Sequence, residues 1–303
     1  MSSGDRAATL WTNGTPQQLS NYASSAFDIK KVGSDIYIAG FENSVPDPAD
    51  PGEYISVATY WKNGNKVALS DGSKHAFAFG IAVHGTDVYV AGMERQPTGI
   101  YKARLWKNGS LVALTSGAYN SAADDVTVDG NDVYAIYGES TTTTRAYLWK
   151  NGASEELHST STSYTHAKKV LVDNGNVYVV GEYKGASSLY QPCYWKNGIF
   201  YPLDFPTTGI HAINDFYIEN GNLFITGSGY VSGSYSAFYY ENNTLHVIDA
   251  SSSPSQVFAN SIANVNGNIT VVGAANVHPV KWVNGTETVY SDKKGAFNKI
   301  IYE

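Results

Sequence analysis

An all-β fold built from repeated four-stranded antiparallel units is predicted by three features of this 303-residue sequence. A ten-residue motif, "YWKNGNKVAL" at 60–69, returns as "LWKNGSLVAL" at 105–114 and in looser form along the whole chain. A second motif of the type "GTDVYVAG" (85–92) alternates with the first. Asn-Gly pairs between short apolar-alternating runs recur at 13–14, 63–64, 108–109, 151–152, 197–198 and 284–285. Asn-Gly is the strongest short hairpin signal, because a type I′ turn needs positive φ at both central residues.

The first motif is anchored by Trp11, Trp61, Trp106, Trp149, Trp195, Tyr240 and Trp282, spaced by 50, 45, 43, 46, 45 and 42 residues. The second reads "GSDIYIAG" (33–40), "GTDVYVAG" (85–92), "GNDVYAIYG" (130–138), "NGNVYVVG" (174–181), "NGNLFITG" (220–227) and "NGNITVVG" (266–273). Each unit resolves into strands A to D. For residues 78–114 these are "AFGIAV", "DVYVAG", "KARLWK" and "SLVAL". Four antiparallel strands at a period of 40–45 residues are the signature of a β-propeller blade. A lone sheet would leave both faces wet, whereas blades packed side by side bury them. The repeated aromatic is then an apolar body between neighbouring blades; the sharper alternative is a ring of ligand-binding tryptophans.

Full blades are expected near 26–70, 77–115, 122–158, 167–203, 212–248 and 258–291, within one domain over 1–303. A seventh, closing blade is expected from 8–20 plus 296–302, where "AFNKII" (296–301) reads as a last strand A. That blade is short of a strand B. A six-bladed ring is the alternative. Closure by both termini would tie down ends that otherwise fray.

Composition narrows the function. The chain holds 29 Gly and 23 Tyr but 2 Met, which suits short strands and tight turns rather than helices. Net charge is −7 and no Lys/Arg cluster is visible, so no nucleic-acid partner is expected. No apolar run approaches the ~20 residues of a membrane helix. "MSSGDRAATL" has no hydrophobic signal region and reads as an engineered start from which an export signal was removed. Cys193 has no partner for a disulfide and reads as a small buried hydrophobe, a catalytic thiol needing a base that nothing local supplies.

The paired "LWKNG" and "NDVYVAG" units resemble the repeats of bacterial secreted or lipid-anchored propeller proteins. They are also similar to the HAF-type extracellular repeat, whose strand pair carries an "AFLW-x-NG" pattern; "RAYLWKNG" (145–152) and "YSAFYYENN" (235–243) come closest. The resemblance covers nearly the whole chain. It implies an extracellular, periplasmic or cell-surface setting and says nothing of activity, since the shared motif is structural. The Trp-Asp strand end of WD40 repeats, the Gly-Gly pair of kelch repeats and the "S-x-D-x-G-x-x-W" box of sialidases are all missing.

Tight connections fall between A and B and between C and D, so the long, variable connections share the opposite face. Function on a rigid scaffold tends to reside in such loops. They are rich in Ser, Thr, Gly and Tyr, a composition suited to adaptable binding. Tyr54, Tyr101, Tyr119, Tyr164, Tyr190, Tyr230 and Tyr235 are candidate contacts there, with His75, His166 and His211, which precede strand A. Polar loops are also simply what solvent favours. The start of strand A offers a second candidate, a polar mouth to the central channel lined by Asp28, Phe79, Asp124, Asp125, Lys168, Asn214, Asp215 and Asn260. Asp28, Asp124, Asp125 and Asp215 are the plausible carboxylates for glycosidic chemistry. The three histidines could serve a metal or act as base, but no pair has ligand spacing, so no metal site is assigned. Asp47, Asp50 and Glu53 in "DPADPGE" give a weak possibility of Ca²⁺ through oxygen ligands, without the residue order of a calcium loop.

Three functions fit. The favoured one is a non-catalytic module, expected to be monomeric, that binds a glycan or a protein partner through the loop-rich face. The others are a scaffold module of a larger surface assembly, and a polysaccharide lyase or hydrolase using mouth Asp or His. No catalytic constellation is readable, and no cofactor is assigned.

Overall fold

The computed structural model describes residues 6–115, 118–159, 164–184, 189–203, 211–231, 233–242, 244–250 and 257–301. The chain is a β-propeller of four-stranded antiparallel blades. A hairpin comes first, β1 (Thr9–Thr12) with β2 (Thr15–Gln18). The first blade holds β3 (Ser24–Val32), β4 (Asp35–Pro46), β5 (Tyr54–Lys62) and β6 (Asn65–Ala68). The second holds β7 (Ala76–His84), β8 (Asp87–Arg95), β9 (Tyr101–Lys107) and β10 (Ser110–Val112). The third holds β11 (Asn120–Asp129), β12 (Asp132–Ser140), β13 (Thr144–Lys150) and β14 (Ala153–Glu156). The fourth holds β15 (Thr165–Asp173), β16 (Asn176–Lys184), β17 (Tyr190–Lys196) and β18 (Ile199–Pro202). The fifth holds β19 (His211–Glu219), β20 (Asn222–Val231), β21 (Ser234–Glu241) and β22 (Thr244–Ala250). The sixth holds β23 (Val257–Val265), β24 (Asn268–Ala275), β25 (His278–Val283) and β26 (Thr286–Val289). Each pairs its strands in chain order.

Two compact units divide these elements. The first comprises 1–142 with 147–155, the second 143–146 with 156–303. In the first, Tyr37, Ala39, Ala58 and Leu69 pack on Ala78, Ile81, Val90 and Trp106 of the next blade. In the second, Phe224 and Ala237 pack on Ala259, Ile262, Val271 and Trp282. Trp61, Trp106, Trp149, Trp195, Tyr240 and Trp282 are all buried, as the interblade reading expects. Trp11, on the two-stranded hairpin, is partly exposed. No helix of the described residues is long and apolar enough to cross a membrane.

The closing blade departs from expectation. Residues 296–301 form no strand, and the hairpin β1–β2 is a sheet of two. The reason lies in the strand inventory: an A strand joins a sheet through a B strand, and the sequence carries six B strands for seven C–D hairpins. Side-chain bonds still hold residues 296–301 along β23. Asn260 Nδ2 donates to the Phe297 carbonyl at 2.9 Å and Ile300 N donates to Ser261 Oγ at 3.3 Å.

The motifs themselves are two halves of one lock. The turn asparagines have left-handed backbones, with φ of 52° at Asn63 followed by 81° at Gly64, as the type I′ turn requires. Asn63 then reaches back to the start of strand B: its Oδ1 accepts from Ile36 N and its Nδ2 donates to Asp35 Oδ1, both at 2.8 Å. Lys62 Nζ lies 2.8 Å from Asp35 Oδ2 and 5.1 Å from the centre of the Tyr37 ring. The arrangement repeats at Asp87, Tyr89, Lys107 and Asn108 and at Asp132, Tyr134, Lys150 and Asn151. In the fourth and sixth blades neutral Asn176 and Asn268 replace the aspartate and keep the amide bond, at 2.9 and 2.8 Å.

Hydrogen bonds from Lys62 and then Asn63 hold the Asp35 carboxyl below its ordinary 3.8; Lys107 and then Asn108 lower Asp87, and Lys150 and then Asn151 lower Asp132. The partner lysines are raised. A lowered acid pKa gives stability that is complete above the ordinary carboxylate value and is lost as pH falls through the folded one. The lysine contribution is complete below about 10.4 and is lost as pH rises through the raised value. Thermal midpoint should therefore sag modestly below about pH 4, these being exposed, salt-screened pairs. In the triple variant Asp35→Asn, Asp87→Asn, Asp132→Asn that sag should shrink, as read by thermal unfolding across a pH series.

Candidate functional site

Strand A has one feature in every blade. Its register against strand B slips by one residue between Ala26 and Asp28, Ala78 and Gly80, Ala123 and Asp125, Ala167 and Lys169, Ile213 and Asp215, and Ala259 and Ser261. The extra residues of these bulges are Phe27, Phe79, Asp124, Lys168, Asn214 and Asn260. A bulge re-aims its side chains and frees a backbone N–H. The candidates at the start of strand A thus occupy bulges or follow them directly.

Three residues after the bulge, Asp28, Asp215 and Ser261, are bonded between blades. Asp28 is buried, and its Oδ2 accepts from Ile81 N of the next blade at 3.0 Å. Asp215, 1% exposed, accepts from Ser261 Oγ at 2.5 Å and Ile262 N at 3.2 Å through Oδ2, and from Lys299 Nζ at 2.5 Å through Oδ1. Asp125 is buried as well. Asn214 Nδ2 donates to the Ala259 carbonyl at 2.8 Å. Two neighbours that sequence reasoning missed do similar work: Glu182 Oε1 accepts from Ile213 N, and Ser228 Oγ accepts from Ala259 N. A carboxylate committed to an amide of the neighbouring blade is poorly placed to deliver or remove a substrate proton. Asp124 and Lys168 remain partly exposed.

The loop ends of the blades carry aromatic groups. In the first unit Phe27, Phe41, Phe77, Phe79 and Tyr101 make one cluster, every ring partly exposed. Phe27 meets Phe79 edge-on at 5.5 Å between centroids and Phe41 meets Phe77 at 5.0 Å. Phe77 contacts Phe79 at 6.3 Å and Tyr101 at 6.2 Å. Phe79 and Tyr101 were expected at the site; Phe41 and Phe77 were not. The alternation of Phe77 and Phe79 in "AFAFG" was the available signal. In the second unit Tyr164 meets Tyr190 edge-on at 4.8 Å, with Lys184 Nζ 4.6 Å from the Tyr190 ring centre. Tyr230 meets Tyr235 at 5.3 Å, and burial, then Tyr230, raises the Tyr235 phenol. Tyr54, Tyr119 and Tyr230 are 46%, 48% and 47% exposed.

His75 Nδ1 accepts from Ser56 N at 3.1 Å, and its Nε2 lies 4.0 Å from Asp47. It thereby steadies the long β4–β5 connection. His166 lies beside Tyr164, at 6.3 Å between rings. The side chain of His211 lies outside the described residues. The loop holding Asp47, Asp50 and Glu53 is closed by its own backbone, Asp47 N donating to the Glu53 carbonyl at 2.9 Å and Glu53 N to that of Asp50 at 3.0 Å. Among the described residues no three His, Cys, Asp or Glu side chains gather as a metal would need. Cys193 is fully buried, and burial, then Glu182, pushes its thiol well up, away from the reactive thiolate.

The propeller fold is shared with solved structures. A Mycobacterium tuberculosis puromycin-hydrolyzing peptidase matches at TM-score 0.58 and 11% identity, over 93% of this chain and 49% of that one. A prolyl endopeptidase matches at 0.54 and 10%, over 92% and 44%. Trypanosoma rangeli sialidase in complex with sialic acid matches at 0.50 and 7%, over 94% and 56%. The chain thus spans about half the length of each. At these identities the likeness shows the fold alone. No protein-family model matches the chain, and no curated protein matches its sequence.

Proposed function

We propose that the chain is a non-catalytic binding module of an extracellular, periplasmic or cell-surface protein, recognising a glycan or protein partner through its loop-rich face. The observation that carries this reading is the cluster of Phe27, Phe41, Phe77, Phe79 and Tyr101, whose rings meet edge-on at Phe27–Phe79 and Phe41–Phe77 and parallel or tilted elsewhere, yet stay partly open to solvent. Rigid aromatic area costs little ordering entropy on binding. Sugar rings present apolar C–H faces that such rings can cover, and apolar side chains of a protein do the same. The carboxylates that a hydrolase would need are engaged between blades at Asp28 and Asp215.

The test is a binding screen of the purified chain against glycans and polysaccharides, with and without Ca²⁺, with product formation followed in the same wells. Binding without turnover is expected. Phe79→Ala should weaken it by about thirtyfold, the loss of about 2 kcal/mol at a central aromatic contact. Turnover of a bound polysaccharide would sink the non-catalytic reading.

A further inference from the structure

Asparagine followed by glycine is the pair most prone to lose side-chain ammonia, because glycine has no side chain to keep its nitrogen from the asparagine carboxamide. This chain holds nine such pairs: the six at the C–D turns, with Asn174-Gly175, Asn220-Gly221 and Asn266-Gly267 at A–B turns. Their backbones are alike. At Asn13, Asn63, Asn108, Asn151, Asn197, Asn220 and Asn284 φ runs from 47° to 52°, so backbone shape does not separate one turn from another. The carboxamides do.

Five of them are tied at both atoms. Asn63 N donates to the Ile36 carbonyl at 2.8 Å, its Oδ1 accepts from Ile36 N and its Nδ2 donates to Asp35. Asn108 holds Val88 and Asp87 in the same way, and Asn151 holds Val133 and Asp132. Asn197 holds Val177 and Asn176, and Asn284 holds Ile269 and Asn268. Each side chain thus acts as one more rung of the B–C ladder. Asn13 and Asn220 differ. Both are exposed, and among the described residues neither carboxamide has a hydrogen-bond partner. Gly14 and Gly221 are exposed too, so a base in solvent reaches the glycine nitrogen.

We propose that Asn13 and Asn220 are sites of spontaneous hydrolytic modification, converted to aspartate and isoaspartate while the five tied asparagines are protected. In the first step the glycine nitrogen gives its proton to a solvent base and bonds to Cγ of the asparagine. The Cγ–Nδ2 bond breaks, and ammonia leaves with a proton taken from solvent. Water then adds to either carbonyl of the cyclic imide and reopens the ring. The sum is one water consumed and one ammonia released, with nothing oxidised. Ring closure requires the carboxamide to swing toward the glycine. At the tied positions that swing breaks both side-chain bonds and strands the N–H that opens strand B, which raises the barrier. Each conversion adds one negative charge to a chain of net charge −7. Isoaspartate also lengthens the turn backbone by one carbon, which a two-residue type I′ turn does not accommodate. The inference is independent of the loop-face reading.

The test follows the folded full chain in warm, mildly alkaline buffer, with each Asn-Gly peptide quantified over time by mass mapping and isoaspartate read by enzymatic carboxyl methylation. Conversion at Asn13 and Asn220 is expected to run about tenfold or more faster than at Asn63, Asn108, Asn151, Asn197 and Asn284. In concentrated urea, where the ties are gone, the seven rates should come together. Asp35→Ala removes the acceptor of Asn63 Nδ2 and should speed conversion at Asn63 by about threefold, with Asn13 unchanged. Should that variant fail to fold, the wild-type comparison in buffer and in urea decides alone. Equal rates at tied and untied positions in the folded chain, no conversion at Asn13 and Asn220, or the same spread of rates in urea would overturn the proposal.

Discussion

Trp106→Ala is expected to lower folding stability by about 3–5 kcal/mol, the cost of emptying a large buried site. Trp106 is fully buried between its own blade and the one before, against Ala39, Ala58, Ile81 and Val90. These neighbours are held by strand ladders, so they cannot collapse into the space left. Chemical denaturation should show the loss with the unfolding slope little changed. The repeat makes a graded comparison possible. Trp11, partly exposed on its two-stranded hairpin, should cost clearly less when changed to alanine, and equal losses at Trp11 and Trp106 would contradict the packing role assigned to the repeated aromatic.

Gly92→Ala is the second large effect, and it arises from backbone rather than cavity. Strand A bulges at Phe79, which drives the Phe77 carbonyl toward strand B; a β-carbon at Gly92 would lie 1.9 Å from that oxygen. The same collision waits at Gly40, Gly181, Gly227 and Gly273, at 1.7–2.1 Å from the facing carbonyl. Both partners are ladder backbone, so relief requires moving a strand, and about 1–3 kcal/mol or more is expected from one methyl group. Gly109, in a turn with nothing within 4 Å, should suffer from φ alone, and the loss there should be smaller.

The blades were legible in the sequence because their signals are local. Asn-Gly at each C–D turn and the alternation in "DVYVAG" or "NVYVVG" depend on neighbours in the chain, and the observed turns and strands follow them. The last strand A was over-read for the same reason. "AFNKII" has the alternation of a strand, but pairing is a two-body property, and among the described residues no B strand pairs with it. The mouth carboxylates show the limit from the other side. Asp28 and Asp215 read as polar side chains at the right place in strand A, yet the bulge that turns them toward the next blade depends on a carbonyl-to-glycine approach across the sheet. The final glycine of the second motif was the visible trace of that approach. Phe41 and Phe77 were missed because each looks like an ordinary strand residue; only the juxtaposition of two blades brings them to Phe27 and Phe79.

The central claim is that repeated polar and aromatic residues build the propeller, whereas the non-repeated aromatic cluster on the loop face is the working surface. Its most direct test is the hydrogen-exchange footprint of the tightest ligand from the glycan and protein screens on the wild-type chain. The account predicts slowed exchange at Phe27, Phe41 and 77–79, with the Asn-Gly turns of the opposite face unchanged. A footprint on those turns, with the aromatic cluster unaffected, would contradict it.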